Sequence, residues 1–332
     1  VVNSTGTMPV KPLISAHPTG AAICGNDGAV ILRLTNPEEF TGATYQWYKD
    51  NEPIAGAGSI IYEATAPGQY RLFVGEGNCS AISGQIPVVP GTGNIEKPRL
   101  NKNPNQDEIC NNGSIRLEVA NASSYGNVTY YWYKNTEIVQ GGPSPYYFAT
   151  TAGTYFVQVV DGNTCSAVSE KETLRMSGST ITAPVITTYP STNMICGEDG
   201  VVVLRLTTTY PAGTTYQWYR NNMPVSGATS VTYSATEAGD YHLEVISQSC
   251  GASSTPVTIQ KQNGSSISLP LVTLDPEEMI ENDPVALTFA NINAYTQPLY
   301  HWFTNEKTTL LQSNVLTYEA TVTGTYYLLV ED

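Results

Sequence analysis

With 332 residues and a net charge of −14, from 15 basic against 29 acidic side chains, the chain shows none of the Lys/Arg clustering that a nucleic-acid binder needs to displace counterions. Charged residues make up only 13% of it, and the abundance of Tyr, Thr, Ser, Gly and Val suits strands rather than helices. No apolar run is long enough to span a bilayer as a helix, and the first residues do not read as a signal peptide.

In chain order, residues 1–11 read as the end of a preceding repeat plus a link: Val1-Val2 close a strand and Asn3–Lys11 connect. The frame is set by Pro12, Pro98, Pro184 and Pro270, spaced by roughly 86 residues, each after a Gly/Ser/Thr-rich link. It predicts repeats at 12–90, 97–176 and 183–262, and a fourth at 269–332 cut short before its last strand.

Each repeat opens with a short strand and a turn such as Ile23–Gly28. A strand follows in which Val30, Leu32 and Leu34 alternate inward while Arg33 faces water. Ile115, Leu117 and Val119 repeat that phase with Arg116 and Glu118 outside, as do Val202, Leu204 and Leu206, and Val285, Leu287 and Phe289. Next comes Tyr45-Gln46-Trp47-Tyr48, matched by Tyr130-Tyr131-Trp132-Tyr133, Tyr216-Gln217-Trp218-Tyr219 and Tyr300-His301-Trp302-Phe303. All four Trp of the chain lie in this motif, so Trp47, Trp132, Trp218 and Trp302 are the expected core pins. Gly-X-Tyr then recurs as Gly68–Tyr70, Gly153–Tyr155, Gly239–Tyr241 and Gly324–Tyr326. Short strands, frequent turns, a Trp in the third strand and a corner Tyr predict an all-β chain of tandem immunoglobulin-like sandwiches in a linear array.

The six Cys fall in pairs roughly 55 residues apart: Cys24 and Cys79, Cys110 and Cys165, Cys196 and Cys250. One pair per repeat predicts one disulfide within each of the first three repeats, between the start of the second strand and the sixth–seventh turn, at one pole. Each Trp is then left to pack on aliphatics. Repeat four has Glu281 or Asn282 where its first Cys would stand. A zinc site competes poorly with disulfides, because no CxxC occurs and only three His exist, none near a Cys. Disulfides imply an oxidising, extracytosolic setting.

Cys-Gly-X-X-Gly before an aliphatic strand, Tyr-Gln-Trp-Tyr, Tyr-X-Ala-Thr-X-X-Gly-X-Tyr and X-Cys-Ser/Gly-Ala together resemble the immunoglobulin-like repeats of large secreted adhesins of Bacteroidota. That group serves attachment and gliding motility. The resemblance runs over about residues 12–332, and repeats two and four depart most: Tyr131 replaces the Gln before Trp, and repeat four loses its Cys. It implies an extracellular or cell-surface protein of a Gram-negative bacterium.

No catalytic set is legible. His17, His242 and His301 fall in different repeats and read as scattered surface or edge residues. Asn26-Asp27-Gly28 and Glu198-Asp199-Gly200 offer calcium too few carboxylates and read as turns. No cofactor, metal or catalytic residue is therefore assigned. The candidate contact surface is the outer face of the third and sixth strands: Tyr48, Phe73, Tyr131, Tyr133, Phe156, Tyr219, Phe303 and Tyr327. These aromatics suit sugars or protein partners, or cross-strand pairing that only stabilises the sheet.

The expected function is a non-catalytic stalk of a repeat-rich bacterial adhesin, projecting or multiplying weak sites for surface glycans, proteins or solid surfaces. The expected partners include neighbouring repeats of the same chain, and neither nucleic acid nor a membrane span. Two other readings stand beside it: the repeats are themselves carbohydrate- or protein-binding modules, or they are accessory repeats of a secreted enzyme.

Overall fold

The computed structural model describes residues 10–76, 79–162, 164–197, 200–262, 268–275, 284–304 and 309–331. The readings placed on Val1-Val2, on most of the first link, on Asn78, on Glu198 and Asp199, on the Asn263–Ser266 link and on Glu281 and Asn282 lie outside the described residues.

The first sandwich uses β1 (Ile14–His17), β2 (Ala22–Ile23), β3 (Val30–Leu34), β4 (Thr44–Lys49), β5 (Glu52–Pro53), β6 (Ile61–Ala64), β7 (Gly68–Glu76), β8 (Cys79–Ile82) and β9 (Ile86–Pro90). One sheet has the order β1-β3-β6. The other runs β2-β9-β7-β4-β5, with β8 also paired to β7. Alternation in β3 turns Val30, Leu32 and Leu34 onto Trp47, Leu72 and Val74 of the facing sheet. Trp47 is fully buried, stacks on Tyr62 at 6.1 Å, and its indole N–H donates to the Ser59 carbonyl at 2.8 Å. The Tyr70 hydroxyl turns back to the Ala66 carbonyl at 2.8 Å and closes the corner that leads into β7.

The second sandwich repeats the plan with β10 (Leu100–Asn103), β11 (Glu108–Asn111), β12 (Ile115–Val119), β13 (Val128–Lys134), β14 (Glu137–Gly142), β15 (Tyr146–Ala149), β16 (Gly153–Asp161), β17 (Cys165–Val168) and β18 (Glu172–Thr180). The third has β19 (Ile186–Tyr189), β20 (Met194–Cys196), β21 (Val202–Leu206), β22 (Thr215–Arg220), β23 (Met223–Pro224), β24 (Thr232–Ala235), β25 (Gly239–Ser247), β26 (Cys250–Ser253) and β27 (Val257–Gln262). The fourth has β28 (Val272–Asp275), β29 (Val285–Phe289), β30 (Leu299–Thr304), β31 (Thr309–Ser313), β32 (Thr317–Ala320) and β33 (Tyr326–Glu331), in sheets β28-β29-β32 and β31-β30-β33. Trp132, Trp218 and Trp302 are each no more than 1% exposed. Each donates its N–H to a loop carbonyl, of Ser144, Ser230 and Val315 respectively. The chain is thus all-β, built of tandem immunoglobulin-like sandwiches.

Two compact units emerge. The first holds Val1–Ile109 with Ile115–Met176, the second Cys110–Ser114 with Ser177–Asp332. β2, β11 and β20 were expected as turns, but they are strands. A Pro follows β1, β10 and β19 (Pro18, Pro104, Pro190), each after a cis peptide, and the chain then crosses to the edge of the other sheet. There β2 runs parallel to β9, pairing Ala22 with Val89 and Ile23 with Pro90.

That crossing overturns the expected Cys pairing. Cys24 stands past the end of β9, whereas Cys79 pairs with Glu76 at the hairpin where the returning strand begins. The two lie at opposite ends of that strand, roughly 30 Å apart at about 3.3 Å per residue, while a disulfide needs Cα atoms within about 7 Å. In the first unit Cys24 is bonded instead to Cys165 of the next sandwich, with Cα atoms 5.5 Å apart. In the second, Cys110 of β11 is bonded to Cys250 at the start of β26, with Cα atoms 5.6 Å apart. Cys79 and Cys196 are free thiols. The first Cys of one repeat is therefore joined to the second Cys of the following repeat.

Candidate functional site: the joint between consecutive repeats

In the first unit the joint starts with the outward side of β3. Alternation should leave Ile31 wet, yet it is 2% exposed. It packs with Ala29 against Tyr133 of β13, Phe156 of β16 and Val168 of β17. Tyr133 and Phe156 lie face to face at 4.6 Å, and both are buried. The outer face of the third and sixth strands of repeat two is thus seated on the outer face of repeat one's β1-β3-β6 sheet.

A buried polar network orients this contact. Gln158 is fully buried. Its amide nitrogen donates to the His17 carbonyl at 2.7 Å and to the Ser166 hydroxyl at 3.0 Å. Its oxygen accepts from the Tyr133 hydroxyl at 3.1 Å and lies 2.8 Å from His17 Nδ1. The His17 ring meets Tyr131 edge-on at 4.2 Å. A partner in a dry contact costs little to keep and about 1–3 kcal/mol to lose, so Gln158 fixes one relative orientation.

The pole adds backbone contacts. The Ala29 N–H donates to the Ser166 carbonyl at 2.7 Å, and Cys165 pairs with Ala22 in parallel, so β17 extends the sheet of repeat one. In the second unit the Ser114 N–H donates to the Gly251 carbonyl, also at 2.7 Å. A Cβ on Gly113 would fall 2.6 Å from that carbonyl oxygen, so the close approach requires glycine there.

Charges ring the first-unit joint. Arg33 pairs with Glu137 at 2.6 Å and Lys97 with Glu170 at 2.5 Å, while Asp27 accepts from the Lys97 backbone N–H at 3.0 Å. Burial raises the carboxyl pKa of Glu63, against the lowering pull of Lys171 and Lys97. The Lys97 hydrogen bond holds Glu170 below the usual carboxylate range, and the Lys102 hydrogen bond does the same for Asp107. The expected wet Arg33 is therefore half-covered. Arg116 is a larger correction: it is 7% exposed, pairs with Glu118 at 3.1 Å and lies over the Tyr146 ring.

In the second unit the same face is used between repeats three and four. Val203 packs with Phe303 and Leu329, and with Tyr189 and Tyr327 around them. Tyr189 meets His301 at 5.1 Å and Phe303 at 5.8 Å. The His17–Tyr131 pair recurs here with its two identities exchanged.

The expected aromatic contact surface is thus largely not free. Tyr133, Phe156, Tyr219 and Phe303 are at most 2% exposed, and Tyr131 and Tyr327 are partly buried. Tyr48 and Phe73 remain half-buried, with their rings 6.5 Å apart. The expected surface histidines are corrected as well. His242 is 2% exposed and stacks on Tyr219 at 4.9 Å, and His17 lies within the joint. Among the described residues no group of three or more His, Cys, Asp or Glu is placed to hold a metal.

Sequence reading missed the residues that grip the links. Asn36, Asn121 and Asn291 each precede a short 3-10 turn. Their side-chain oxygens accept from Leu13, Arg99 and Leu271 N–H at 2.9, 2.9 and 2.6 Å. Tyr125 and Tyr210 add hydroxyl bonds to the Glu96 and Thr182 carbonyls. The equal spacing of these Asn and Tyr, and the apolar Ile31 and Val203 on a nominally wet face, were the available signals.

No protein-family model matches the chain. A relative is the highly immunogenic outer capsid protein of Enterobacteria phage T4, 25% identical over 245 residues that cover 68% of this chain. The chain spans 65% of that relative's length. A solved structure of tandem immunoglobulin repeats of Dlar overlaps 51% of this chain and 96% of its own, at 12% identity and a TM-score of 0.31, a likeness too loose to carry an argument. No helix among the described residues is long and apolar enough to cross a membrane. The repeat fold and its two disulfides fit a structural or adhesion-like role away from the reducing cytosol.

Proposed function

We propose that the chain is a length of non-catalytic stalk from a surface-displayed attachment protein, in which the first repeat is locked covalently to the second and the second to the third. The observation that carries this reading is the Cys24–Cys165 bond together with the dry contact beside it. Residues that a binding module would display are spent here on repeat–repeat packing. A joint held by a disulfide, a buried glutamine network and a clamped link resists bending and pulling, which suits a spacer that carries a binding element under load. Tyr48 and Phe73 have the chemistry of the same joint, so the glycan-binding reading is the weaker one.

Pulling on the chain ends tests the stalk. With both disulfides closed, the shortest covalent route from Cys24 to Cys250 crosses to Cys165, runs back to Cys110 and crosses again. The fully extended oxidised chain should therefore reach about half the length of the reduced one, at about 3.6 Å per residue. Equal extension in both states, or unfolding at trivial force when oxidised, defeats the reading. The similarity to the phage capsid protein favours a second reading, display on the outside of a virus particle. Co-sedimentation of the chain with assembled capsids would select it.

A further inference from the structure

We infer that Cys196, β20 and β33 form an acceptor slot for one more β-strand of the Cys-small-Ala-apolar type, sealed by a disulfide to Cys196. The inference goes beyond the stalk reading and does not depend on it.

The first unit shows how such a strand is seated. β17, with the sequence Cys-Ser-Ala-Val, pairs antiparallel with β16 on one side and parallel with β2 on the other. Its thiol is bonded to Cys24 just beyond β2, and its Val168 covers Ala29 and Ile31. In the second unit the corresponding walls are present. β20 ends in Cys196 and is paired to β27. β33 is paired to β30. Among the described residues neither has a strand on its other edge. An open strand edge presents a row of unused N–H and C=O groups and is a template for strand addition.

Between the two edges lies a mostly apolar cleft of about 680 Å³, lined by Met194, Cys196 and Val201 on one wall, Leu328 and Val330 on the other, and Leu269 from the link. Val201 stands where Ala29 and Ser114 stand in the other repeats, and those two donate their N–H to the residue after the bonded Cys. The Cys196 thiol lies at the same end of its strand as Cys24 and Cys110, both of which are bonded to a Cys that opens such a strand. Thiol, two edges and apolar wall converge on one occupant: a Cys-small-Ala-apolar strand laid antiparallel on β33, as β17 lies on β16, and parallel to β20, with its Cys against Cys196 as Cys165 stands against Cys24. Closure is thiol–disulfide exchange. The Cys196 thiolate attacks the disulfide between the strand's Cys and a low-molecular-weight thiol, the new S–S bond forms, and that thiol leaves carrying the electron pair and a proton.

The test uses the whole chain and a peptide copying Thr164–Met176, which carries the Cys-Ser-Ala-Val strand and whose only thiol is Cys165, supplied as its mixed disulfide with glutathione. Non-reducing digestion and mass spectrometry read which cysteine is joined to the peptide. The peptide is expected on Cys196 in preference to Cys79 by about tenfold, with a scrambled peptide losing that preference, because strand pairing raises the effective concentration at one site only. Backbone amides of β33 should gain protection from hydrogen exchange in the adduct. Equal labelling of Cys79 and Cys196, equal capture of the scrambled peptide, or dominant Cys79–Cys196 links between chains would overturn the inference.

Discussion

Cys24 is bonded to Cys165 in the next sandwich and stands a strand's length from Cys79 in its own. The bond closes a loop with a sequence separation of 141 residues around an interface that is already dry. It therefore restrains two domains at once, and its loss is felt at their joint.

Replacing Cys24 and Cys165 by Ser should lower the stability of the first unit by about 2–4 kcal/mol, near the upper part of the range because the closed loop is long. Urea unfolding monitored by Trp fluorescence measures it. Non-reducing peptide mapping of the unaltered chain should find Cys24–Cys165 and Cys110–Cys250 peptides. Recovery of Cys110–Cys165 instead would contradict the joint.

Phe156→Ala removes a ring that stacks on Tyr133 and is 1% exposed. A cost of about 3–5 kcal/mol is expected for truncating a buried aromatic. Much of the change should show as opening of the joint, read by faster proteolysis between the first two sandwiches. If Phe156 served partner binding, stability would scarcely change.

Gln158→Ala should cost about 2–3 kcal/mol, because His17, Ser166 and Tyr133 lose a common partner in a water-poor place. Hydrogen exchange at the amides of β1 and β17 should speed up locally. An unchanged exchange pattern would show that the network is dispensable.

Glu63→Gln should stabilise the first unit at neutral pH. The folded carboxyl pKa is raised by burial, so the protonated form is favoured in the folded state. Its contribution is fully present below the unfolded value, near 4.5, and is lost as pH rises through the folded one. Gln behaves as the protonated form throughout, so the Tm gap should open on going from acid to neutral pH and vanish below the unfolded value. Glu170, held low by Lys97, has the opposite sign: its contribution is present above its unfolded value and fades as pH falls through its folded one.

Burial pushes the Tyr70 and Tyr241 hydroxyls up to about 12. Both donate to a carbonyl four residues earlier at 2.8 Å and close the corner into the sixth strand. Stability from these groups is complete below the unfolded value of 10 and declines as pH climbs toward 12. Phenolate absorbance should therefore rise in two stages, the second together with loss of β-sheet circular dichroism. Tyr70→Phe should lose about 1 kcal/mol at neutral pH.

Local rules settle much of this protein. Alternation along Val30–Leu34, one Trp per repeat and Gly-X-Tyr are enough to specify a sandwich, because each sets a period, a core pin or a corner within a single domain. The β2 strand escaped such rules, since two residues after a proline carry no period of their own, and only pairing with β9 and β17 makes them a strand. The partners of Cys24 and the burial of Phe156 were decided by tertiary structure alone. Both depend on which pole and which face of one sandwich meet the next, and sequence spacing within a repeat holds no record of that contact. Roughly equal spacing is compatible with pairing inside a repeat or one repeat along; the distance across the sandwich permits only the second.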